Sequence, residues 1–264
     1  MSENILEKIG KTAKLRVERE KARMPADGLK AMALASRRPH DFIGPLRAGG
    51  PRIIAEVKLA SPSEGEMGKD LDPVAIAREY AAAGASGISV LTEPDFFRGR
   101  LAHLTSVREA VKTPLLMKDF LVDEYQIFQA RVFGADCVLL IAALLKERLE
   151  EMLESAAAMG LGVLVEVHDE WELEAALGLD AKLVGVNNRD LKSLRVDLEV
   201  SRKLARLAKG SGATMVCESG IKNRAQIDEL HALGYSAFLV GTALIKSGRP
   251  GDALRELLRK RLHG

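Results

Sequence analysis

The sequence predicts an α/β fold, a single closed barrel of eight β/α units with an N-terminal helical extension, and three observations carry that prediction. From Arg52 onward one unit repeats eight times, a short β-rich apolar run followed by a longer segment with helical spacing, which is the pattern of parallel strands covered by helices. Several of the apolar runs end in a charged or amide side chain, so polar groups gather at one end of the strands. The repeat count of eight is the number that closes a barrel, while the length of 264 residues allows the roughly 250 such a barrel needs without by itself deciding between one large domain and two small ones.

Residues 1–50 form the extension. Its spacing predicts two helices, roughly Glu3 to Glu20 and Asp27 to Ser36. The opening stretch MSENILEKIGKTAKLRVEREKA carries charges every few residues and lacks the apolar core of a signal peptide or a membrane span. Residues 51–264 hold the eight units. The predicted strands are Arg52 to Lys58, Gly87 to Glu93, Pro114 to Phe120, Ala135 to Ile141, Gly162 to His168, Leu183 to Asn188, Thr214 to Ser219 and Ala237 to Gly241. Between them, Asp72-Pro73 and Asp123 mark helix starts, and Gly84, Gly134, Gly160 and Gly234 mark helix stops. No Pro/Ser-rich linker interrupts the series, which predicts one domain over 1–264.

A doubly wound open sheet uses the same units. Two features count against it: no GxGxxG follows the first strand, and the polar strand ends are spread along the whole chain. In a barrel those ends would face one mouth.

Hydrophobic residues make up 47% of the chain and charged ones 29%, as in a globular protein with a large core. With 39 Lys and Arg scattered among 37 Asp and Glu, the net charge of +2 points to neither a nucleic-acid nor a membrane partner. The two cysteines, Cys137 and Cys217, sit in apolar runs without metal-ligand spacing, so neither a disulfide framework nor a zinc site is indicated, and a cytoplasmic location is expected.

A charge at the end of a buried strand is costly unless chemistry needs it. On that ground Lys118 (PLLMKDF) and Glu166 (GVLVEVH) are the leading site residues, joined by Glu56 and Lys58 (RIIAEVK), Asn187 (LVGVNNRD) and Glu218 (TMVCESG). Glu56 and Lys58 alternate with Val57 and should therefore share a side of the first strand. The last two strands end in Ser219-Gly220 and Gly241-Thr242, small residues whose backbone N–H groups can approach a phosphate closely. A single glycine there reads equally well as a mere turn of the chain; two such loops on adjacent strands favour an anion site.

Taken in order, the strings IIAEVKLASPSEG, LTEPDFFRG, PLLMKDFLVDEYQ, GADCVLLIAALL, LVEVHDEWELEAAL, GVNNRDLKSL with VDL, CESGI and FLVGTALI resemble the indole-3-glycerol-phosphate synthase family along almost the whole chain. The resemblance implies a (β/α)8 TIM barrel with extra N-terminal helices over the mouth. It implies ring closure, decarboxylation and dehydration of 1-(o-carboxyphenylamino)-1-deoxyribulose 5-phosphate to indole-3-glycerol phosphate, with no metal or organic cofactor. On that pattern Lys118 is the general acid and Glu166 the general base. Lys58 would pair with the substrate carboxylate or assist dehydration, and Glu56 would hold Lys118 or Lys58 by charge pairing. Asn187 would hydrogen-bond substrate hydroxyls and orient Glu166, and Glu218 would contact a sugar hydroxyl or Lys58. Arg189 would contact substrate or brace the mouth. Ser61, in the loop after the first strand, would contribute phosphate contacts as the loop closes, and Phe96, Phe97 and Phe120 would pack on the anthranilate ring.

The loop after Lys58 departs from that pattern: Leu59 stands where a basic residue is frequent, and Glu64 follows the SPS in place of another. Lost positive charge there should weaken ground-state binding or alter loop closure. Two other functions share part of this pattern. A sugar-phosphate isomerase of the phosphoribosylanthranilate type would carry a Cys at the first strand's end, where this chain has Glu56 and Lys58; a phosphate-metabolite sensor would bind without turnover. A monomer acting on a small sugar phosphate is the expected state.

Overall fold

The computed structural model describes residues 5–68, 71–190 and 193–259. Eight strands form the ring: β1 (Arg52–Val57), β2 (Gly87–Leu91), β3 (Leu115–Lys118), β4 (Cys137–Ile141), β5 (Gly162–Val167), β6 (Leu183–Asn187), β7 (Thr214–Glu218) and β8 (Ala237–Val240). Each pairs in parallel with its sequence neighbours, and β1 pairs with both β2 and β8, with Ile54 opposite Gly87 and Arg52 opposite Ala237. That second pairing closes the cylinder and excludes the open sheet.

Every strand except β4 stops one or two residues short of its predicted C-terminal end, and β3 and β4 also start later. Lys58, Asp119, His168, Ser219 and Gly241 lie beyond the last ladder residues, because the chain is already turning into the next βα loop. The helix punctuation holds. Gly84, Gly134, Gly160 and Gly234 have φ of 92, 93, 69 and 114°, and the Asp72 and Asp123 side chains accept from the N–H groups of Val74 and Tyr125.

The extension forms helices α1 (Ile5–Arg23) and α2 (Ala26–Ala35). Glu3, where the first helix was expected to begin, lies outside the described residues. A short helix α3 (Gly44–Arg47) and a two-stranded antiparallel hairpin, Ala60–Ser61 with Gly65–Glu66, were not expected. On α1 the buried residues Leu6, Ile9, Gly10, Ala13 and Val17 recur at helical spacing and form the stripe that lies on the barrel.

The two-residue period of a strand divides the core. Ile53, Ala55 and Val57 of β1, Leu115 and Met117 of β3, and Val165 and Val167 of β5 point outward to the helices. Ile54, Leu116, Leu164, Val216 and Leu239 point inward and fill the cylinder, where Phe42 and Leu46 of the extension join them. Phe42 packs against Gly87 and Arg47 Nε donates to Thr214 Oγ1 at 2.8 Å, both first residues of their strands, so this part of the extension seals the floor.

The fully buried Asp136, just before β4, fixes that floor. Its Oδ1 accepts from Arg37 Nη2 at 2.6 Å and from the His40 N–H at 2.7 Å, and its Oδ2 accepts from Arg108 Nη1 at 2.9 Å and the Leu115 N–H at 2.7 Å. One carboxylate thus joins the extension, the helix Leu101–Ala110 and the start of β3. No helix among the described residues is long and apolar enough to cross a membrane.

Candidate active site

The inward parity that places Ile54, Leu116, Leu164 and Val216 inside the cylinder places Glu56, Lys118, Glu166 and Glu218 one step higher, at the C-terminal mouth. They line a cavity of about 730 Å³ together with Lys58 and Asn187. Ile5, Leu6 and Ile9 of α1 form part of its apolar wall.

Lys118 Nζ stands 3.5 Å from Glu166 Oε2 and 3.8 Å from Glu218 Oε2, and Lys58 Nζ is 2.8 Å from Glu56 Oε1. Asn187 Nδ2 donates to Glu166 Oε1 at 3.0 Å, while its Oδ1 accepts the Arg189 N–H at 3.0 Å, which fixes the amide's orientation. Glu172 sits behind His168, whose Nε2 is 3.3 Å from Glu166 Oε1 and whose Nδ1 is 3.1 Å from Glu172 Oε2.

Burial works against the Lys118 ammonium, but the carboxyl groups of Glu166, Glu218 and Glu56 outweigh it and raise its pKa. The magnitudes agree: desolvation of one ion costs several kcal/mol, and each close contact at this range returns about 4 kcal/mol at an effective dielectric constant near 20. Burial likewise raises the Glu166 carboxyl, yet Lys118, His168 and the Asn187 hydrogen bond bring it below its usual range. Burial also opposes ionisation of Glu56, and the Lys58 and Lys118 charges reverse that and lower its pKa. Glu218 is the opposite case. Burial and the Glu166 charge push it up to about 8, and its Oε1 has no hydrogen-bond partner. Of the two carboxyls, the surroundings of Glu166 favour the charged form and those of Glu218 the protonated form.

Two glycines make room for these carboxyls. A Cβ on Gly185 of β6 would lie 2.0 Å from Glu218 Oε1, and one on Gly241 would lie 2.4 Å from Glu56 Oε1. Beyond turning the chain, Gly241 therefore admits the Glu56 side chain into the mouth.

Ser219, Gly220, Gly241 and Thr242 also line the cavity, as does Lys246. Ser219 and Gly220 have φ of 63 and 91°. A serine in the left-handed region costs about 1 kcal/mol or more, a strain held at the mouth. Ser61 lines the same cavity, 3.4 Å from Ser63 Oγ. Arg189 lines it too, although its Nη1 donates to the Leu194 carbonyl at 2.8 Å and so braces its own loop. Leu191 and Lys192 of that loop lie outside the described residues.

Phe97 and Phe120 line the cavity with ring centroids 5.9 Å apart. Phe96 does not line it. Adjacent positions of the short helix Pro94–Phe97 point about 100° apart, so only one of the two phenylalanines can face the mouth; Phe96 turns to α1, with Lys8 Nζ 5.7 Å from its ring centre.

Three residues at the mouth were not singled out in the sequence. Glu93 caps the Pro94–Phe97 helix by accepting from the N–H groups of Asp95, Phe96 and Phe97. Arg16 of α1 donates to Asp119 Oδ1 at 2.6 Å and lies 3.4 Å from Glu93 Oε1, tying α1 to the residue after Lys118. His168 is the third; its place in the string GVLVEVH, two residues after Glu166 and of the same parity, was the available signal. Among the described residues no group of three or more His, Cys, Asp and Glu side chains is placed to hold a metal ion.

Comparison with known proteins follows the same line. The family model for indole-3-glycerol phosphate synthase matches residues 6–257. The indole-3-glycerol phosphate synthase of Carboxydothermus hydrogenoformans is 42% identical over 96% of this chain and 99% of its own length. That of Endomicrobium trichonymphae is 44% identical over 96% and 99%, and that of Dehalococcoides mccartyi 46% identical over 92% and 95%. Among solved structures, a 3-hexulose-6-phosphate synthase superimposes with a TM-score of 0.62 at 18% identity, covering 78% of this chain and 97% of that one. A mutant tryptophan synthase α-subunit from Pyrococcus furiosus gives 0.61 at 15% identity with the same coverage. The structural likenesses speak for the barrel alone, whereas the match of sequence along nearly the full length does more: the chain belongs to the indole-3-glycerol phosphate synthase family.

Proposed function

We propose that Lys118 is the general acid and Glu166 the general base of the family's reaction in this chain, a decarboxylating carbon–carbon lyase step of tryptophan biosynthesis. The observation that carries this reading is the Lys118 ammonium set between the Glu166 and Glu218 carboxyls inside the mouth. When the ring carbon that bears the carboxylate attacks the ribulose C2 carbonyl, negative charge develops on the carbonyl oxygen. An ammonium with a raised pKa stays protonated through the neutral range, and the forming alkoxide, far more basic than the carbonyl, takes its proton. Carbon dioxide then leaves, its bonding electrons returning to the ring system. The C2 hydroxyl then leaves as water on a proton supplied by the Lys58 ammonium, while Glu166 takes the proton from the carbon next to the nitrogen, which completes the indole.

Lys58, held at 2.8 Å by Glu56, is the cation assigned to the substrate carboxylate. Phe97 and Phe120 supply an apolar wall for the anthranilate ring, and Ser219, Gly220, Gly241 and Thr242 the phosphate end, with Ser61 above it. Asn187 orients Glu166, and Arg189 braces the mouth. Glu218, carrying a proton, can donate to a sugar oxygen. We assign the chain to the cytoplasm as a monomer, in keeping with two buried free thiols that suit a reducing compartment. Sedimentation at a mass near 28.6 kDa checks the monomer.

The direct test mixes the purified chain with 1-(o-carboxyphenylamino)-1-deoxyribulose 5-phosphate and follows indole fluorescence. Steady growth of the signal is the expected result; tight binding with a flat trace would favour the sensor.

The departure at Glu64 adds a second expectation. Its carboxylate contacts Lys246 Nζ on the phosphate side of the cavity, and this hydrogen bond holds the Glu64 carboxyl below its usual range. A phosphate dianion would compete with Glu64 for that cation. Glu64→Gln should therefore lower KM by about two- to fivefold, the scale of an exposed ion pair, with the larger effect at low salt. An unchanged KM at low ionic strength would remove Lys246 from the phosphate site.

A further inference from the structure

We propose that His168 is a positioning residue, an imidazolium held between the carboxylates of Glu166 and Glu172 that fixes which oxygen of Glu166 faces the substrate. This rests on the assignment of Glu166 as the base.

The geometry carries the charge state. Nε2 lies 3.3 Å from Glu166 Oε1 and Nδ1 lies 3.1 Å from Glu172 Oε2, so each ring nitrogen meets a carboxylate oxygen. A neutral imidazole has one N–H and one lone pair, and in either tautomer a lone pair would face a carboxylate. Only the doubly protonated ring suits both sides. Glu172 is itself anchored: its Oε2 also accepts the His168 N–H at 2.8 Å, and its own N–H donates to Asp169 Oδ1 at 2.9 Å in the first turn of the helix Glu170–Gly178. The Nε2 contact is electrostatic rather than a directed hydrogen bond.

The result is a division of labour within one carboxylate. Oε1 of Glu166 is held by Asn187 at 3.0 Å and by His168, which leaves Oε2 toward Lys118 and the cavity. Without the cation, Asn187 alone would hold Oε1, and the carboxylate could swing toward Lys118.

His168 borders a second cavity beside the mouth, and other charged groups share its surroundings. Asp169 stands beside it on its own loop. Glu7, Lys11 and Lys14 belong to α1, Lys146 to the segment after β4, and Arg189, Asp190, Arg195 and Asp197 to the loop after β6. Burial lowers the imidazole pKa, and the two carboxylates of Glu166 and Glu172 overcome this, pushing it up to about 10. Since that lies above the ordinary value near 6.5, the clamp stabilises the fold fully below about pH 6.5 and fades as pH rises toward 10.

The test pairs a spectrum with kinetics. In the ligand-free full chain labelled with ¹⁵N-histidine, the His168 signal is assigned among five histidines by its loss in His168→Asn, or by its movement in Glu172→Gln if the first variant does not fold. Both ring nitrogens should be protonated at pH 7.5. In turnover, His168→Asn should lower kcat about tenfold with KM within twofold. Glu172→Gln should bring the imidazole back into the neutral range, so that its kcat falls about tenfold more between pH 6 and 8.5 than that of the parent chain. A structural role alone would not create that titration. A neutral ring at pH 7.5, unchanged kcat in His168→Asn, or a Glu172→Gln profile that superimposes on the parent's would each overturn the proposal. Absence of turnover in the parent chain would instead overturn the assigned reaction, and the spectrum, recorded without substrate, separates the two failures.

Discussion

Lys118→Met is expected to lower kcat by at least two orders of magnitude, within the range of about 10² to 10⁴ attributed to a positioned acid, while leaving the barrel folded. Methionine keeps the unbranched chain length and packs in the same slot, so the change removes the proton donor with little loss of volume. It also removes the cation that lies 3.5 Å from Glu166 and 3.8 Å from Glu218. Two carboxyls buried at 2% and 1% exposure would then lack that neighbour, and Glu218, already raised to about 8, should retain its proton to still higher pH. Glu166→Gln tests the other half. The amide keeps an oxygen for Asn187, yet it cannot take a proton, and a fall in kcat of the same order is expected. Single-turnover measurements should place the Lys118→Met loss at ring closure and the Glu166→Gln loss at dehydration. Near-normal turnover in either variant, with an unaltered circular dichroism spectrum, would remove its assigned role.

Asp136→Ala should have the largest effect on stability, about 3 to 5 kcal/mol, a fall in melting temperature of roughly 10 °C for a chain of this size. The carboxylate is fully buried and accepts four hydrogen bonds, two from the arginines Arg37 and Arg108 and two from backbone N–H groups. Alanine leaves those donors facing one another in a site that Arg108, at 11% side-chain exposure, cannot leave for water. Asp136→Asn keeps the shape and part of the hydrogen bonding, and should cost less than half as much. Calorimetry of both variants checks the order; equal and small shifts would mean that the network contributes little.

Much of the barrel was legible because its signals are local. Strand parity reads directly from the sequence: the positions that bury Ile54 and Leu116 are those that carry Glu56 and Lys118 two residues later. Helix starts at Asp72 and Asp123 and stops at four glycines depend on neighbours within a few residues. What escaped depends on distance along the chain. Arg16 meets Asp119 across 103 positions and Arg37 meets Asp136 across 99, and nothing near either arginine announces its partner. The helix Gly44–Arg47 has only four residues, too few for a periodic signal. Phe96 and Phe97 could not be separated by composition, since the difference between them is a rotation about a helix axis. His168 was visible in its string, but its two carboxylate neighbours become neighbours only when the strand end and the following helix turn are in place.

Residues 5–50 clasp the cylinder at both ends, with Arg16 at the mouth and Phe42 and Arg37 at the floor. On the ribosome these residues emerge before any of the surfaces that receive them. Asp119 and Asp136 are translated about a hundred codons later, and Ala237 and Leu239, which complete the floor cluster around Phe42, about a hundred codons later still. The clasp must therefore wait for partners translated well after it. Until the helices Glu124–Val132 and Ala142–Leu145, against which α1 packs, have formed, its apolar stripe stays open to solvent and to chaperones.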